Sequence, residues 1–407
     1  PFLDAAGAKR YQQIHIDLPD FTHSPFQKET SASFESLVKE TMEDLLVCSQ
    51  KGLVERFDSS IGNATVLSPF GGKTYGTETE GMAALIPVLG KETTTASLMA
   101  YGYHPKIAAW SPYHGASYAV MESVAKIVAM GGDYARIRFS FQEYFEKLLN
   151  DPQKWGKPMA ALLGAYRAQK ALGLPSIGGK DSMSGTFMDL SVPPTLISFA
   201  ITTAEVDDIM TPEFKETGHQ VVEFMIGKDE FGLFNYEHAK MQYRRIHQWM
   251  KEGRIVAAYT VKHGGLVEAI SKMAMGNEIG FDFDSNLSLD DLAMMNYGNI
   301  VAELADQPEM MLPGDIRLVG YTTNLKELRY DDQSVSLSEV RNWYEAPLET
   351  VFPTHIEAPT SDIMIQDTDV RPARYAKVRV DVPHVTIPVF PGTNCEYDSK
   401  RAFEKAG

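Results

Sequence analysis

Apolar side chains recur at helical spacing in two stretches of the first half of the chain, and strand-like runs lie between them. The pattern from Phe34 to Leu46 predicts a helix facing the core, with Gly52 as its end. A second pattern over 159–172 predicts a helix that stops at Gly173, because glycine favours the left-handed cap of a helix. It follows a predicted insertion over 143–158. Apolar runs predict strands beginning at 64, 82, 135 and 195.

The pattern starts again after Asp208, and we predict a domain boundary there. Strand, helix, strand and helix are predicted in that order over 220–226, 236–252, 255–259 and 266–275. Residues 346–376 hold four prolines without a clear period, which is typical of a linker. An apolar run over 384–390 and a helix from Asp398 or Ser399 then resemble the first strand–helix step of a doubly wound domain.

Composition and charge narrow the class of protein. A chain of 407 residues is long enough for two or three domains, and 44% hydrophobic with 23% charged residues is typical of a globular protein. The net charge of −16 argues against a nucleic-acid partner, although it leaves room for a small phosphorylated ligand. No apolar run approaches the roughly 20 residues of a membrane span. Two distant cysteines, Cys48 and Cys395, give no disulfide framework, so we expect a cytoplasmic protein.

The segment from Gly173 to Ser184 contains the most unusual chemistry of the chain. A glycine pair ends at Gly179 and is followed by Lys180, Asp181 and Ser182. In a turn, such glycines let backbone N–H groups approach an oxyanion, while the lysine adds positive charge and the polar side chains orient a nucleotide. We therefore predict a ligand site here. The alternative is an ordinary glycine turn whose charged side chains face water.

A second glycine loop follows the strand that begins at 64. Gly71, Gly72, Lys73 and Thr74 have the composition of a phosphate cradle, and the alternative is a flexible hairpin tip.

Two charged residues lie four apart on the helix that we predict after Ser111. Glu122 and Lys126 are predicted to form a surface ion pair, and a metal-binding role for Glu122 is the alternative.

Three motifs together resemble the phosphoribosylformylglycinamidine synthase family in its large, glutamine-dependent form. They are the run from Gly178 to Ser184, the helix end from Met130 to Arg138, and the segment from Pro391 to Ser399. The resemblance implies an α+β fold with aminoimidazole ribonucleotide synthetase-like A and B domains, forming a second repeat, before a truncated flavodoxin-like α/β glutaminase start. The implied parts are the tail of a preceding repeat, the A-type domain, the B-type domain, the linker and the glutaminase start, over 1–30, 31–208, 209–345, 346–376 and 377–407.

The resemblance also implies a reaction in purine biosynthesis. Formylglycinamide ribonucleotide, glutamine and ATP would give formylglycinamidine ribonucleotide, glutamate, ADP and phosphate, with magnesium supporting phosphoryl transfer. We expect no catalytic residue in this chain, because the family's main histidine lies in the first repeat and its glutaminase residues lie beyond Gly407. The implied substrate-binding residues are the loop from Gly71 to Thr74 and the segment from Gly179 to Ser182.

In large relatives, the second repeat holds a structural ADP through magnesium. The matching positions here are Met82, Glu122, Lys126 and Thr260, so only one of the four ligands is retained. The related acidic turn reads Tyr259 to Gly265 here and lacks its two acids. We therefore expect no tightly bound auxiliary ADP.

The resemblance implies several partners: the N-terminal synthetase half, the glutaminase domain and a small phosphorylated substrate. A homodimer of the chain is a further expectation. Two alternative functions remain. The first is another ATP-dependent member of the superfamily, such as a selenophosphate synthetase or thiamine monophosphate kinase. The second is a non-catalytic pseudo-dimer module.

Overall fold

The computed structural model describes residues 11–26, 31–57, 64–88, 90–305, 312–355 and 380–406. They belong to two units, one up to His355 and one from Ile356 onward. None of the helices among these residues has the length and apolarity that a membrane crossing requires.

A six-stranded sheet forms the first part of the larger unit. Up to residue 205, the strands are β1 (Thr65–Leu67), β2 (Phe70–Gly71), β3 (Thr77–Glu78), β4 (Met82–Leu85), β5 (Thr95–Gly102), β6 (Arg138–Tyr144), β7 (Ser176–Lys180), β8 (Thr186–Phe187), β9 (Leu190–Ser191) and β10 (Thr195–Glu205). The sheet order is β1-β4-β5-β10-β6-β7, and β2–β3 and β8–β9 form separate two-stranded pairs. Only β6 and β7 run parallel, so β7 is an edge strand reached through a helical crossover.

Five helices lie within the same stretch of the chain, and the first of them packs in the core of the second sheet rather than against this one. They are α1 (Phe34–Glu43), α2 (Lys51–Val54), α3 (Pro105–Trp110), α4 (Pro112–Ala129) and α5 (Pro152–Leu172). The strand that begins at 195 and the helix stop at Gly173, which has φ +74°, are confirmed. The predicted start of α5 is wrong, since Asp151 caps the helix by accepting hydrogen bonds from Gln153 and Lys154 N–H.

A seven-stranded sheet forms the second part of this unit. Its elements are β11 (Gln220–Phe224), α6 (Tyr236–Lys251), β12 (Ile255–Thr260), α7 (Gly265–Met275), β13 (Gly280–Phe283), α8 (Leu289–Ala293), β14 (Ile300–Leu304), β15 (Ile316–Thr323), β16 (Glu327–Tyr330), β17 (Gln333–Ser336) and α9 (Leu337–Glu349). The order is β12-β14-β11-β15-β13-β16-β17. The two sheets divide between 205 and 220, on either side of Asp208.

Alternation along β11 explains how the second sheet is covered on both faces. Val222 packs in a core that also contains α4 and α6, whereas Val221 packs with α1, α7 and α9. Helix α4 therefore lies between the two sheets, and every residue from His114 to Ala129 is buried. The predicted ion pair between Glu122 and Lys126 forms, at 2.7 Å, but its predicted position at the surface is wrong because both side chains are buried.

The smaller unit contains α10 (Glu396–Ala406), which begins two residues before the predicted position. No strand forms within 380–406, so the predicted strand over 384–390 is wrong. Val385, Val389 and Phe390 are at least half exposed, because an isolated strand has no neighbour to complete its hydrogen bonds or cover its side chains. Most of the predicted linker, 356–376, lies outside the described residues.

Candidate functional site

The glycine motif predicted as a turn is an edge strand. Gly178, Gly179 and Lys180 lie in β7, which pairs with β6 along one side. The strand forms because the crossover through α5 returns the chain parallel to β6. Gly179 is required there, since a Cβ at this residue would lie 2.6 Å from the carbonyl oxygen of Phe141. A Cβ at Gly178 would meet nothing within 4 Å, so that position stays open towards solvent.

The polar residues that follow β7 are held by the end of β6. Ser182 N–H donates to the carbonyl of Glu143, and its carbonyl accepts from Phe145 N–H. The hydroxyl groups of Ser182 and Ser184 are 2.9 Å apart. Backbone hydrogen bonds thus fix the segment, while the side chains of Lys180 and Asp181 remain exposed.

A cavity of about 430 Å³ lies beside this segment, at the carboxyl ends of the parallel pair β6–β7. Its walls combine Gly178–Asp181 with four apolar side chains of α5, which are Trp155, Pro158, Met159 and Leu162. The other lining residues are Ile14, Phe141, Glu143 and Met183. Burial raises the pKa of Glu143, and the charge of Asp181 raises it further. The cavity therefore offers an apolar wall with acidic and basic groups at its rim. Sequence reasoning missed Glu143 and Trp155, because the predicted insertion over 143–158 includes the end of β6 and the unpredicted first turns of α5.

The second glycine loop, from Gly71 to Thr74, connects β2 and β3 and packs against the end of α7. Lys73 N–H donates to the Asn277 side chain at 3.0 Å, and Thr74 N–H donates to the carbonyl of Gly276 at 3.0 Å. A Cβ at Gly72, which has φ +82°, would lie 2.3 Å from the Gly276 backbone. These contacts already use the Lys73 and Thr74 donors of the expected cradle, and the loop is not a free hairpin tip.

A cavity of about 400 Å³ opens next to this loop. It is lined by Val54, Leu67, Pro69, Phe70, Glu78, Thr79, Gly81 and Met82. The loop at Gly71–Thr74 and the segment at Gly179–Ser182 are thus associated with two different cavities.

The four residues at the family's metal positions do not form a cation site. Met82 is 39% exposed, and Thr260 is buried in β12 with no hydrogen-bond partner for its hydroxyl. Glu122 binds the ammonium of Lys126. Within the described residues, no group of three or more His, Cys, Asp or Glu side chains is arranged to hold a metal ion.

Charged side chains instead form what we call the lysine–glutamate junction. It consists of three ammonium groups and four carboxylates, from Lys126, Lys262, Lys272, Glu78, Glu80, Glu122 and Glu268. Sequence reasoning recognised only the Glu122–Lys126 pair. The i,i+4 spacing of Glu268 and Lys272 in an otherwise apolar helix was a signal that it missed.

A chain of hydrogen bonds joins three further polar residues near α7. His104 accepts from Ile107 N–H through Nδ1, and its Nε2 lies 3.1 Å from His263 Nδ1. His263 Nε2 lies 3.1 Å from a carboxylate oxygen of Asp44. Burial, together with the neighbouring His263, lowers the pKa of His104 to about 4.

Comparison with known proteins gives matches to PurL, a subunit of phosphoribosylformylglycinamidine synthase. The chain is 27% identical over 257 residues to the subunit of Pyrobaculum aerophilum, covering 58% of this chain and 34% of that protein. It is 24% identical over 284 residues to the subunit of Thermoplasma acidophilum, covering 62% and 35%. No family model matches. The chain thus spans about a third of the length of these two curated relatives.

Solved structures give the same answer for the fold. "T. maritima PurL complexed with FGAR" matches with a TM-score of 0.55 at 13% identity, covering 92% of this chain and 59% of that one. "Structure of PurLQS from Thermotoga maritima" matches with a TM-score of 0.57 at 14% identity, covering 82% and 55%. The expected resemblance is confirmed at this level: the chain is PurL-like in sequence and in its mixed α/β fold.

Proposed function

We propose that this PurL-like chain is a component of phosphoribosylformylglycinamidine synthase, an ATP-dependent carbon–nitrogen ligase of purine biosynthesis in the cytoplasm. Its substrates would be formylglycinamide ribonucleotide, ATP and glutamine as the amide donor. The sequence similarity to PurL subunits over 257 residues is the observation that carries this proposal. ATP as a ligand is supported by the related Thermotoga maritima structure described as complexed with ATP.

Within that enzyme, we assign the segment from Gly179 to Ser182 to the substrate side of an active site completed by another synthetase repeat. The cavity beside it is open to solvent, and Lys180 and Asp181 both line the cavity and are exposed. Exposed polar groups above an apolar wall are typical of a ligand site. The loop from Gly71 to Thr74 would shape the second cavity by packing, since two of its backbone donors are already bound.

Magnesium and ATP would be held outside the lysine–glutamate junction. The residues at the implied metal positions do not fit a cation, because Lys126 occupies the one remaining carboxylate. We therefore assign no step of the reaction to a metal bound at Glu122, and we propose that the phosphoryl transfer depends on residues of the other repeat.

The open face of the first sheet is the proposed surface for that repeat. Met82 and Met99 pair across β4 and β5, and Tyr101 lies 6.5 Å from Phe199 on the same face. Tyr101 is 53% exposed, which is unusual for an apolar sheet face in a finished assembly. A second synthetase repeat, or a second copy of this chain, would cover these side chains.

The smaller unit would be the beginning of the glutaminase domain. This proposal rests on the family resemblance of the segment from Pro391 to Ser399, within which helix α10 begins at Glu396.

A reconstitution assay tests the proposal. We expect no formylglycinamidine ribonucleotide from this chain with ammonia and ATP, and product formation when an N-terminal PurL half is added. Ser182→Ala should reduce the reconstituted rate by at least about 10-fold, whereas the exposed Ser334→Ala should leave it unchanged. Equal rates for both variants would contradict the site assignment, and brisk ATP hydrolysis by this chain alone would contradict the division of labour.

A non-catalytic pseudo-dimer module is the second candidate function. The Glu122–Lys126 ion pair at the implied metal positions favours this candidate. Within the described residues, no group of side chains is arranged to hold a metal ion there. Reconstitution separates the two, because a module would support assembly while Ser182→Ala left the rate unaltered.

A further inference from the structure

Each of the three most buried carboxylates in the lysine–glutamate junction is bound in the same way. One oxygen of Glu80 accepts from Lys262 Nζ at 3.0 Å, and the other accepts from Thr260 N–H at 2.7 Å. One oxygen of Glu268 accepts from Lys272 Nζ at 3.0 Å, and the other accepts from Gly264 N–H at 2.8 Å. Each carboxylate thus has a backbone donor and an ammonium group at 3.0 Å, and Glu268 has a second ammonium group, that of Lys262, at 3.8 Å.

Glu122 repeats the arrangement on helix α4. Its Oε1 is 2.7 Å from Lys126 Nζ, and its Oε2 accepts from Tyr103 N–H at 3.1 Å. Lys126 also donates to the carbonyl of Tyr101 at 2.9 Å. Both oxygens of all three carboxylates are therefore engaged by donors of the protein itself.

This arrangement excludes a divalent cation for an electrostatic reason. Magnesium and calcium bind carboxylate oxygens at about 2.0 to 2.6 Å, so a cation here would lie close to an ammonium group on the same oxygen. In a buried site, the repulsion between such charges is far stronger than in water.

Two of the three lysines join the segment around β3, which precedes β4 of the first sheet, to the second sheet. Glu78 and Glu80 belong to β3 and the residues that follow it, whereas Lys262 and Lys272 belong to the loop after β12 and to α7. Burial alone would raise the pKa of Glu268, but Lys272 and Lys262 lower it to about 2. Burial alone would lower the pKa of Lys262, but Glu80 raises it well above its ordinary value. Both groups therefore stay charged across the neutral range.

We propose that Lys126, Lys262 and Lys272 are internal structural cations. Lys126 neutralises the one carboxylate that remains at the implied metal positions, and Lys262 and Lys272 join the segment around β3 to the second sheet. The fold of this repeat is therefore held without a magnesium ion or a nucleotide. This inference concerns stability and does not depend on the proposed reaction.

Metal and nucleotide dependence gives the first test. The melting temperature of the purified chain is measured after dialysis against EDTA, and again with added magnesium and ADP. We expect the values to agree within about 1 °C, because a ligand stabilises only the state that binds it. A drop after EDTA, or a rise of several degrees with magnesium and ADP, would overturn the proposal.

Substitution of a lysine gives the second test. Lys272→Met removes the only ammonium group paired with Glu78 within the described residues and leaves Glu268 with the more distant Lys262 at 3.8 Å, so we expect the melting temperature to fall by several degrees. The control is Lys326→Met, because Lys326 pairs with Glu278 on the surface at 2.6 Å. The double variant Lys272→Met, Glu268→Gln should recover part of the loss by removing the unpaired charge.

Equal melting temperatures for Lys272→Met and Lys326→Met would contradict the structural role. If Lys272→Met does not fold, the comparison with and without EDTA on the unchanged chain still decides the matter.

Discussion

The edge at β7 and the lysine–glutamate junction treat charged groups in opposite ways. At the edge, the side chains of Lys180 and Asp181 are exposed beside an open cavity. In the junction, Glu80, Glu122 and Glu268 each have both oxygens bound by protein donors. Burying a charge without a partner costs free energy. Carboxylates whose two oxygens are both bound by protein donors therefore have a structural role. Exposed charges at a cavity rim are instead available to a ligand or to another repeat.

The largest expected effect is the loss of a junction carboxylate. Glu80→Gln removes the main partner of Lys262, whose ammonium stays buried, so we expect the free energy of unfolding to fall by about 3–5 kcal/mol. Glu278→Gln breaks an exposed pair and should cost less than about 1 kcal/mol. Urea unfolding measures both. If the two variants were equally stable, the junction and the surface would not differ as described.

Acid should weaken the protein through His104. Its pKa is about 4 in the folded chain and about 6.5 when unfolded, so the unfolded state binds more protons between these values. Stability should therefore rise with pH across this window, with about 3 kcal/mol due to this residue. His263, Asp44 and Lys106 face the same ring system and contribute to its environment.

His104→Gln should flatten the dependence of unfolding free energy on pH between 4 and 6.5. The exposed His15→Gln should leave it unchanged. An identical slope in all three proteins would show that the buried ring does not titrate as expected.

The loop from Gly71 to Thr74 is packed and hydrogen-bonded within the chain, like the lysine–glutamate junction and unlike the edge at β7. Two glycine substitutions test this difference. Gly72 and Gly218 have φ values of +82° and +87°, but only a Cβ at Gly72 would meet backbone, at 2.3 Å. Gly218→Ala should cost about 1 kcal/mol for its backbone conformation, and Gly72→Ala about 2 kcal/mol more for the clash. Chemical unfolding measures both losses of stability. Equal losses for Gly72→Ala and Gly218→Ala would mean that the loop is an open hairpin tip.

The smallest effect is expected within β7 itself. Gly178→Ala should change the free energy of unfolding by less than about 0.5 kcal/mol, because its Cβ meets nothing within 4 Å. Gly179→Ala should cost about 1–3 kcal/mol, since its Cβ would lie 2.6 Å from the Phe141 carbonyl. A large loss at Gly178 would mean that this edge is already covered.

Local sequence patterns predict several elements of the fold correctly. The helix stop at Gly173 and the helix α6 follow from cap chemistry and helical period, which depend on neighbours a few residues apart. The apolar pattern places the start of α5 after Pro158, at the end of the predicted insertion. In the structure Pro158 lies inside the helix, and Asp151 caps it seven residues earlier.

The candidate site depended more strongly on distant contacts. Glu80 and Lys262 are 182 residues apart, and no periodic pattern reports such a pairing. Lys126 was expected at the surface because a helix covered on both sides by sheets cannot be recognised from its own sequence. The glycine pair was expected in a turn because its strand partner, β6, is specified by the crossover rather than by the motif.

Hydrogen exchange on this chain, with and without an N-terminal PurL half, tests the contrast between edge and junction most directly. We expect new protection over 95–102 and 176–184 when the partner is added, and no change over 260–272, where the charged groups are already paired within the chain. An unchanged pattern at both surfaces, or protection confined to 260–272, would contradict it.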